Sequence, residues 1–243
     1  MSKAVVCTGR QGEFKGDEEV TDVTVADGVT EIAAVAFEGC KGLTNLSFLG
    51  GSAITTVGGS ACREAGLTSL QGMEGVSKIG SWAFAYCDDL RTIEGLGCEE
   101  MGEACFAKCI LLQSMKGWPA SMTVIPACCF VNCTGMTTVD CDLSHVTSVG
   151  YGAFQGCTLL LPPSLSKPSA DPAAVLAYLK RKSKDERVLA RYAIYASIRR
   201  ARDQEGEPRT DESPTAFAFA LAKLPPDMNR LILEFKLGVF VQR

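Results

Sequence analysis

Twelve cysteines and one histidine are the side chains of this 243-residue chain best suited to chemistry. Cys105, Cys109, Cys128, Cys129 and Cys133 lie close in sequence, and Cys105/Cys109 and Cys129/Cys133 have the short Cys-x3-Cys spacing that a structural zinc site uses. Cys141 and His145 are four residues apart, so a thiol and a base could meet as a nucleophilic pair. No third group to orient His145, and no oxyanion donors, are marked in the sequence. Gly50-Gly51 and Gly58-Gly59 lack the Lys-Ser/Thr that follows a phosphate-binding loop. A basic run, Lys180, Arg181, Lys182 and Lys184 with Arg187 and Arg191, could face nucleic acid or an anionic membrane. Interleaved aromatics are few, and such runs usually form the solvated side of helices.

The elements that must position these cysteines are repeats. Ala36-Phe37-Glu38-Gly39-Cys40 returns as Ala83–Cys87, Cys105–Cys109, Cys129–Cys133 and Ala153–Cys157. The aromatic slot falls at 37, 62 (a Cys), 84, 106, 130 and 154, at intervals of 25, 22, 22, 24 and 24 residues. An apolar-x-x-apolar phrase precedes each slot, in four of the six followed by Gly, as in Val76–Gly80, and a Leu-x-x-apolar phrase follows, as in Leu43–Leu46. Coils of this length cannot bury their own apolar side, so they must stack and share one core. Cys40, Cys87, Cys109, Cys133 and Cys157 then occupy one slot of that core, where a small apolar side chain is wanted. Metal and cofactor are not expected. The strands are expected in Leu43-x-x-Leu46 and its equivalents. Gly58, Gly80, Gly102 and Gly150 are read as bends. Val20–Val25 alternates as a strand does, and Gly9–Glu19 reads as a loop. The second coil, with Cys62 in the aromatic slot and Ala65 in the Cys slot, should be thin unless Phe48 folds in beside it.

Composition agrees with a folded domain. Hydrophobic residues make up 47% and charged residues 21%. No apolar run has transmembrane length, so membrane insertion is not expected. Ala4–Cys7 is too short for the apolar region of a signal peptide, which makes a cytoplasmic setting with free thiols the expectation. Residues 1–162 carry 9 Lys+Arg against 18 Asp+Glu, and residues 163–243 carry 15 against 10. The change of sign supports two parts, a solenoid over 1–162 and a helical appendage over 163–243.

The phrase Ile79-Gly80-x-x-Ala83-Phe84-x-x-Cys87-x-x-Leu90, in six registers across 29–161, resembles the BspA-like, or Treponema pallidum-type, leucine-rich repeats. That resemblance implies a curved solenoid with a parallel sheet, and roles in adhesion and protein binding.

In the appendage Asp171-Pro172 reads as an N-cap and first helical residue, with a helix continuing to Lys182. Further helices are expected from Asp185 to Arg202, from Ser213 and from Pro225. Leu224–Phe235 resembles the first helix of an F-box, although a capped helix opening at Pro-Pro-Asp explains the same residues.

The function that follows is non-catalytic recognition of another protein. Side chains alternate across a strand, so the residues between the two apolar positions face outward. They are Thr44, Asn45, Thr68, Ser69, Arg91, Thr92, Gln113, Ser114, Thr137 and Thr138. The alternatives are an adaptor acting through the basic helical tail and, more remotely, a cysteine-dependent enzyme. Nucleic acid is not an expected partner.

Overall fold

The computed structural model describes residues 3–46 and 53–183, all within one compact unit, Met1–Tyr192. Short parallel strands stack from coil to coil in two ladders. One ladder runs through β3 (Glu31–Ile32), β4 (Thr56–Val57), β6 (Lys78–Ile79) and β8 (Glu100–Met101), and resumes with β10 (Val124–Ile125) and β12 (Ser148–Val149). The other runs through β5 (Ser69–Leu70), β7 (Thr92–Glu94), β9 (Ser114–Lys116) and β11 (Thr138–Asp140). The second ladder occupies four of the expected Leu-x-x-apolar phrases, beginning at their third residue, whereas Leu43–Leu46, expected as a strand, is not one. The first ladder falls in the other apolar phrase, where no strand was expected. Both phrases put an apolar side chain inward, such as Ile79 and Ile93, and leave polar neighbours outside. β1 (Lys3–Cys7) and β2 (Val20–Val25) pair in parallel at the N-terminal end.

The aromatic slot forms a column inside the stack. Phe84 and Phe106 stack with ring centroids 5.5 Å apart, Phe106 and Phe130 at 5.5 Å, and Phe130 and Phe154 at 5.2 Å. Each buried Phe contributes about 1.5–3 kcal/mol of transfer free energy. Cys62 and Ala65 are both buried where the second coil departs from the pattern. Phe48 lies outside the described residues.

The column begins one coil earlier than the sequence suggests. Gly9–Glu19 is part of a full coil, because Gly12, Phe14 and Gly16 donate their amides to Ala34, Ala36 and Glu38. Phe14 stacks on Phe37 at 5.4 Å. The polar, glycine-rich composition concealed an aromatic slot only 23 residues before Phe37.

The third side of each coil is a turn built from alternating backbone conformations. The residues two before and two after the aromatic slot take positive φ. Val35, Ser60, Trp82, Ala104 and Cys128 do so before it, and Glu64, Tyr86, Lys108 and Asn132 after it. Glycines take the same places at Gly12, Gly39, Gly152 and Gly156. The alternation sends every second amide along the solenoid axis: Val35, Phe37 and Gly39 donate to Gly59, Ala61 and Arg63 at 2.7–3.0 Å.

Gly58, Gly80, Gly102 and Gly150 serve a different purpose from the expected bend. None has positive φ. A Cβ on any of them would lie 2.2–2.6 Å from a backbone nitrogen of the preceding coil. They let adjacent coils approach.

Helix α1 (172–183) closes part of the C-terminal end. Asp171 Oδ1 accepts the Ala173 amide at 3.1 Å, the expected N-cap. Val175, Leu176 and Leu179 are buried. Lys182 Nζ donates to Thr137 O at 2.8 Å, and Ser183 Oγ donates to Cys141 O. Polar side chains thus meet carbonyls that a further coil would otherwise satisfy. The other expected helices lie outside the described residues.

Candidate interaction surface

The cysteines are components of the stack. The Sγ of Cys87, Cys109, Cys133 and Cys157 donates to the carbonyl of Cys62, Phe84, Phe106 and Phe130, each one coil back, at 3.0–3.2 Å. Cys40 does the same to Phe14 O at 3.1 Å. Sequence reasoning placed these residues in one core slot but missed the thiol donor. Burial pushes the Cys87 thiol up to about 12 and those of Cys40 and Cys98 up to about 11. Desolvation likewise holds Cys62, Cys105, Cys109, Cys129 and Cys157 well above the ordinary thiol range. Such groups have almost no thiolate, the form that attacks electrophiles and ligates metals.

Cys105 and Cys129 are fully buried, and Cys129 Sγ meets Met101 Sδ at 3.7 Å. Among the described residues no three His, Cys, Asp or Glu side chains converge as metal ligands would. His145 Nε2 donates to Pro119 O at 3.1 Å, so this nitrogen is engaged by the chain's own backbone. Cys141 is buried, and its carbonyl receives Ser183. Cys128 is the one cysteine of the chain that is not buried.

The outward strand residues form one line. Thr68 N donates to Thr44 O, Arg91 N to Thr68 O, Gln113 N to Arg91 O and Thr137 N to Gln113 O, all at 2.9–3.0 Å. Thr44, Asn45, Thr68, Arg91, Gln113 and Thr137 are exposed, while Ser69, Thr92, Ser114 and Thr138 are half-buried. Thr68 and Thr137 also donate their hydroxyls to Thr44 O and Gln113 O, at 3.2 and 3.3 Å, so these two side chains reinforce the ladder.

The turn side carries a second line that sequence reasoning missed. Lys15 pairs with Glu38 at 2.7 Å, and Glu38 meets Arg63 at 3.6 Å. Arg63 and Lys108, from the coils before and after, lie 5.0 and 4.8 Å from the Tyr86 ring centroid. Ala85, Ala104 and Ala107 form a small buried cluster separate from the core, with Tyr86, Cys128 and Val131 packed against it. Trp82 is 41% exposed and Tyr151 64%. The signal was available in the register: Trp82 precedes the inward Ala83-Phe84 pair, where the turn points side chains outward.

Of the basic run, Lys180 donates to Ser144 O at 3.4 Å, Lys182 holds Thr137 O, and Arg181 sits 5.5 Å from the Tyr178 ring centroid. Two of these three cations therefore touch carbonyls of the last coils. Lys184, Arg187 and Arg191 lie outside the described residues. No helix among the described residues is long and apolar enough to cross a membrane.

A profile described as "BspA type Leucine rich repeat region" matches residues 10–137 and 55–165, in six copies. No curated protein matches the chain. A leucine-rich repeat protein from Bacteroides ovatus is similar at 22% identity and a TM-score of 0.55, with 63% of this chain and 41% of that protein covered. The chain thus spans about two-fifths of that protein's length. The Treponema pallidum leucine-rich repeat protein is similar at 21% identity and a TM-score of 0.55, covering 66% of this chain and 79% of that one. A leucine-rich repeat protein from Eubacterium ventriosum has 18% identity and a TM-score of 0.50, covering 65% of this chain and 47% of that one.

Proposed function

Because this chain belongs to the BspA-type leucine-rich repeat family, we propose that it is a non-catalytic protein-recognition module that holds its partner on the outward strand row. The observation that carries this reading is the line Thr44–Thr68–Arg91–Gln113–Thr137, tied amide to carbonyl across five coils. A stacked core presents such a line without ordering it at the moment of binding, which limits the entropy lost on association. The buried, protonated thiols support a role without thiol chemistry, and they support a reducing compartment, because oxidation would remove the donors to the carbonyls one coil back.

The immobilised chain should capture a protein partner that Arg91→Glu combined with Gln113→Glu no longer retains. Retention unchanged by that pair sinks the strand-row reading. The exposed aromatics Trp82 and Tyr151, the residue types that dominate binding energy at interfaces, support a second reading on the turn side. Loss of the partner with Trp82→Ala alone would move the contact there.

A further inference from the structure

The first ladder is interrupted between two coils, and one residue accounts for it. The position four residues before the aromatic slot is Gly58, Gly80, Gly102 or Gly150 wherever a first-ladder strand pairs with the coil before it. Each of these glycines donates its amide to that coil, as Gly102 does to Ile79 O at 2.8 Å and Gly150 to Ile125 O at 2.7 Å. Pro126 holds the position in the coil of Phe130. It has no N–H to donate, and in unbroken register its Cβ would fall on the backbone of Glu103, as a Cβ at Gly102 falls on Ser81. Accordingly β10 does not pair with β8, and no backbone amide among the described residues donates to Glu99 O or Met101 O. Ala33, the other residue there that is not glycine, likewise has no first-ladder strand on the coil before it. The contacts that do cross the seam at Pro126 come from side chains. Cys98 Sγ meets Met122 Sδ at 3.6 Å, Cys129 Sγ meets Met101 Sδ at 3.7 Å, and Ser121 Oγ donates to Cys98 O at 3.1 Å.

We infer that this seam is a hinge, at which the coils of Phe130 and Phe154 with α1 bend as one block against the coils up to Phe106. The other two sides of the stack stay bonded across it. Ala104, Phe106 and Lys108 donate to Ala127, Cys129 and Val131 at 2.7–2.9 Å, and Thr137 N donates to Gln113 O at 3.0 Å. Those two sides meet at the corner where Gly135 N donates to Ile110 O at 2.9 Å, opposite the first ladder. A small bend about that corner is largest on the first-ladder side, where no backbone bond opposes it. Met101 and Met122 have unbranched, freely rotating side chains, so they can follow the motion and keep the seam filled. Between the preceding coils the same bend would break backbone bonds, such as Glu99 N to Ser77 O at 2.7 Å and Gly102 N to Ile79 O at 2.8 Å. Bending is therefore concentrated at one place, as in other hinges that a few residues define. The hinge falls between Gln113 and Thr137 of the outward row and sets the direction of the last part of that row. It stands apart from the strand-row reading, because it holds whether or not that row binds a partner.

The test measures backbone residual dipolar couplings of the weakly aligned chain and fits residues 53–116 and 120–183 separately. In the native chain the two fits should differ in alignment magnitude, because bending averages the couplings of the smaller block more. Pro126→Gly restores the amide and removes the ring. In that variant the difference should be lost, and the amide at 126 should be protected from hydrogen exchange as that of Gly102 is. One alignment for both blocks of the native chain overturns the hinge, and this result decides the matter even if the variant does not fold. A difference that persists in the variant, or an amide at 126 that exchanges freely, also overturns it, since Pro126 would then not be what parts the coils. No partner enters the measurement, so its outcome is independent of the strand-row test.

Discussion

The thiol of Cys109 donates to the carbonyl of Phe84, one coil back, at 3.2 Å. Cys133 repeats the contact to Phe106 at 3.1 Å, so the aromatic column and the thiol column are one structure. The cysteine fills core volume and satisfies a buried carbonyl together. Cys133→Ala should remove both contributions and destabilise the chain by about 2 kcal/mol. Chemical denaturation measures this directly, and a change within error of zero would mean that neither the thiol's volume nor its hydrogen bond contributes.

Burial also determines which thiols react. Cys128 is half-buried and the other eleven cysteines are buried. Iodoacetamide at neutral pH should modify Cys128 alone in the native chain, and the rest only after denaturation. Mass mapping of the alkylated sites reads the result, and rapid native labelling at Cys109 or Cys133 would contradict the packing described.

The raised thiols make stability depend on alkaline pH. A thiol held above its ordinary value of 9.0 keeps its proton in the folded state longer than in the unfolded state. Its stabilising contribution is complete below about pH 9 and is lost as pH rises toward 11 for Cys40 and Cys98 and toward 12 for Cys87. The denaturation midpoint should therefore fall above pH 9, and fall less steeply in Cys87→Ala. Identical slopes for the two proteins would place the alkaline loss in other groups.

Positive φ at non-glycine residues stores relievable strain. Glu64 has φ 58°, where the equivalent residues are Gly39 and Gly156. Glu64→Gly should stabilise by up to about 1 kcal/mol, the left-handed penalty less the added freedom of the unfolded chain. Gly156→Ala should do the opposite, because φ is 79° and the new Cβ would lie 2.3 Å from Asn132 Oδ1. Thermal melting of the pair tests the sign of both.

The glycines between coils should tolerate no side chain. A Cβ at Gly102 would sit 2.2 Å from Ser81 N, a backbone atom that cannot swing aside. Gly102→Ala should cost about 3 kcal/mol or more, through separation of two coils. A well-folded variant with an unchanged melting temperature would show that the coils can part cheaply.

Much of this was legible in the residues, for an identifiable reason. Phe84, Phe106, Phe130 and Phe154 recur with the cysteines three residues later, and recurrence alone requires that they share an environment. The Asp171 cap and its helix were equally local, depending on neighbours in sequence. The loop expected at Gly9–Glu19 is a run of turns, but its place in the stack was hidden because Ala34, Ala36 and Glu38 accept its amides from the next coil. The turn-side line failed for the same reason, since Arg63, Tyr86 and Lys108 are each unremarkable alone.

The sequence by itself determined the period of the stack, its inward slots and the polar character of its outward row, because each is a property of one repeat compared with the next. Only the tertiary structure decided what the repeats do to one another. It decided that Cys109 holds Phe84 O, that Gly102 admits the backbone of Ser81, and that Pro126 leaves Met101 O without an amide from the next coil. Those are distances across about 5 Å of stacked backbone, the spacing of paired strands. They come into being when coils meet, and no single coil carries them.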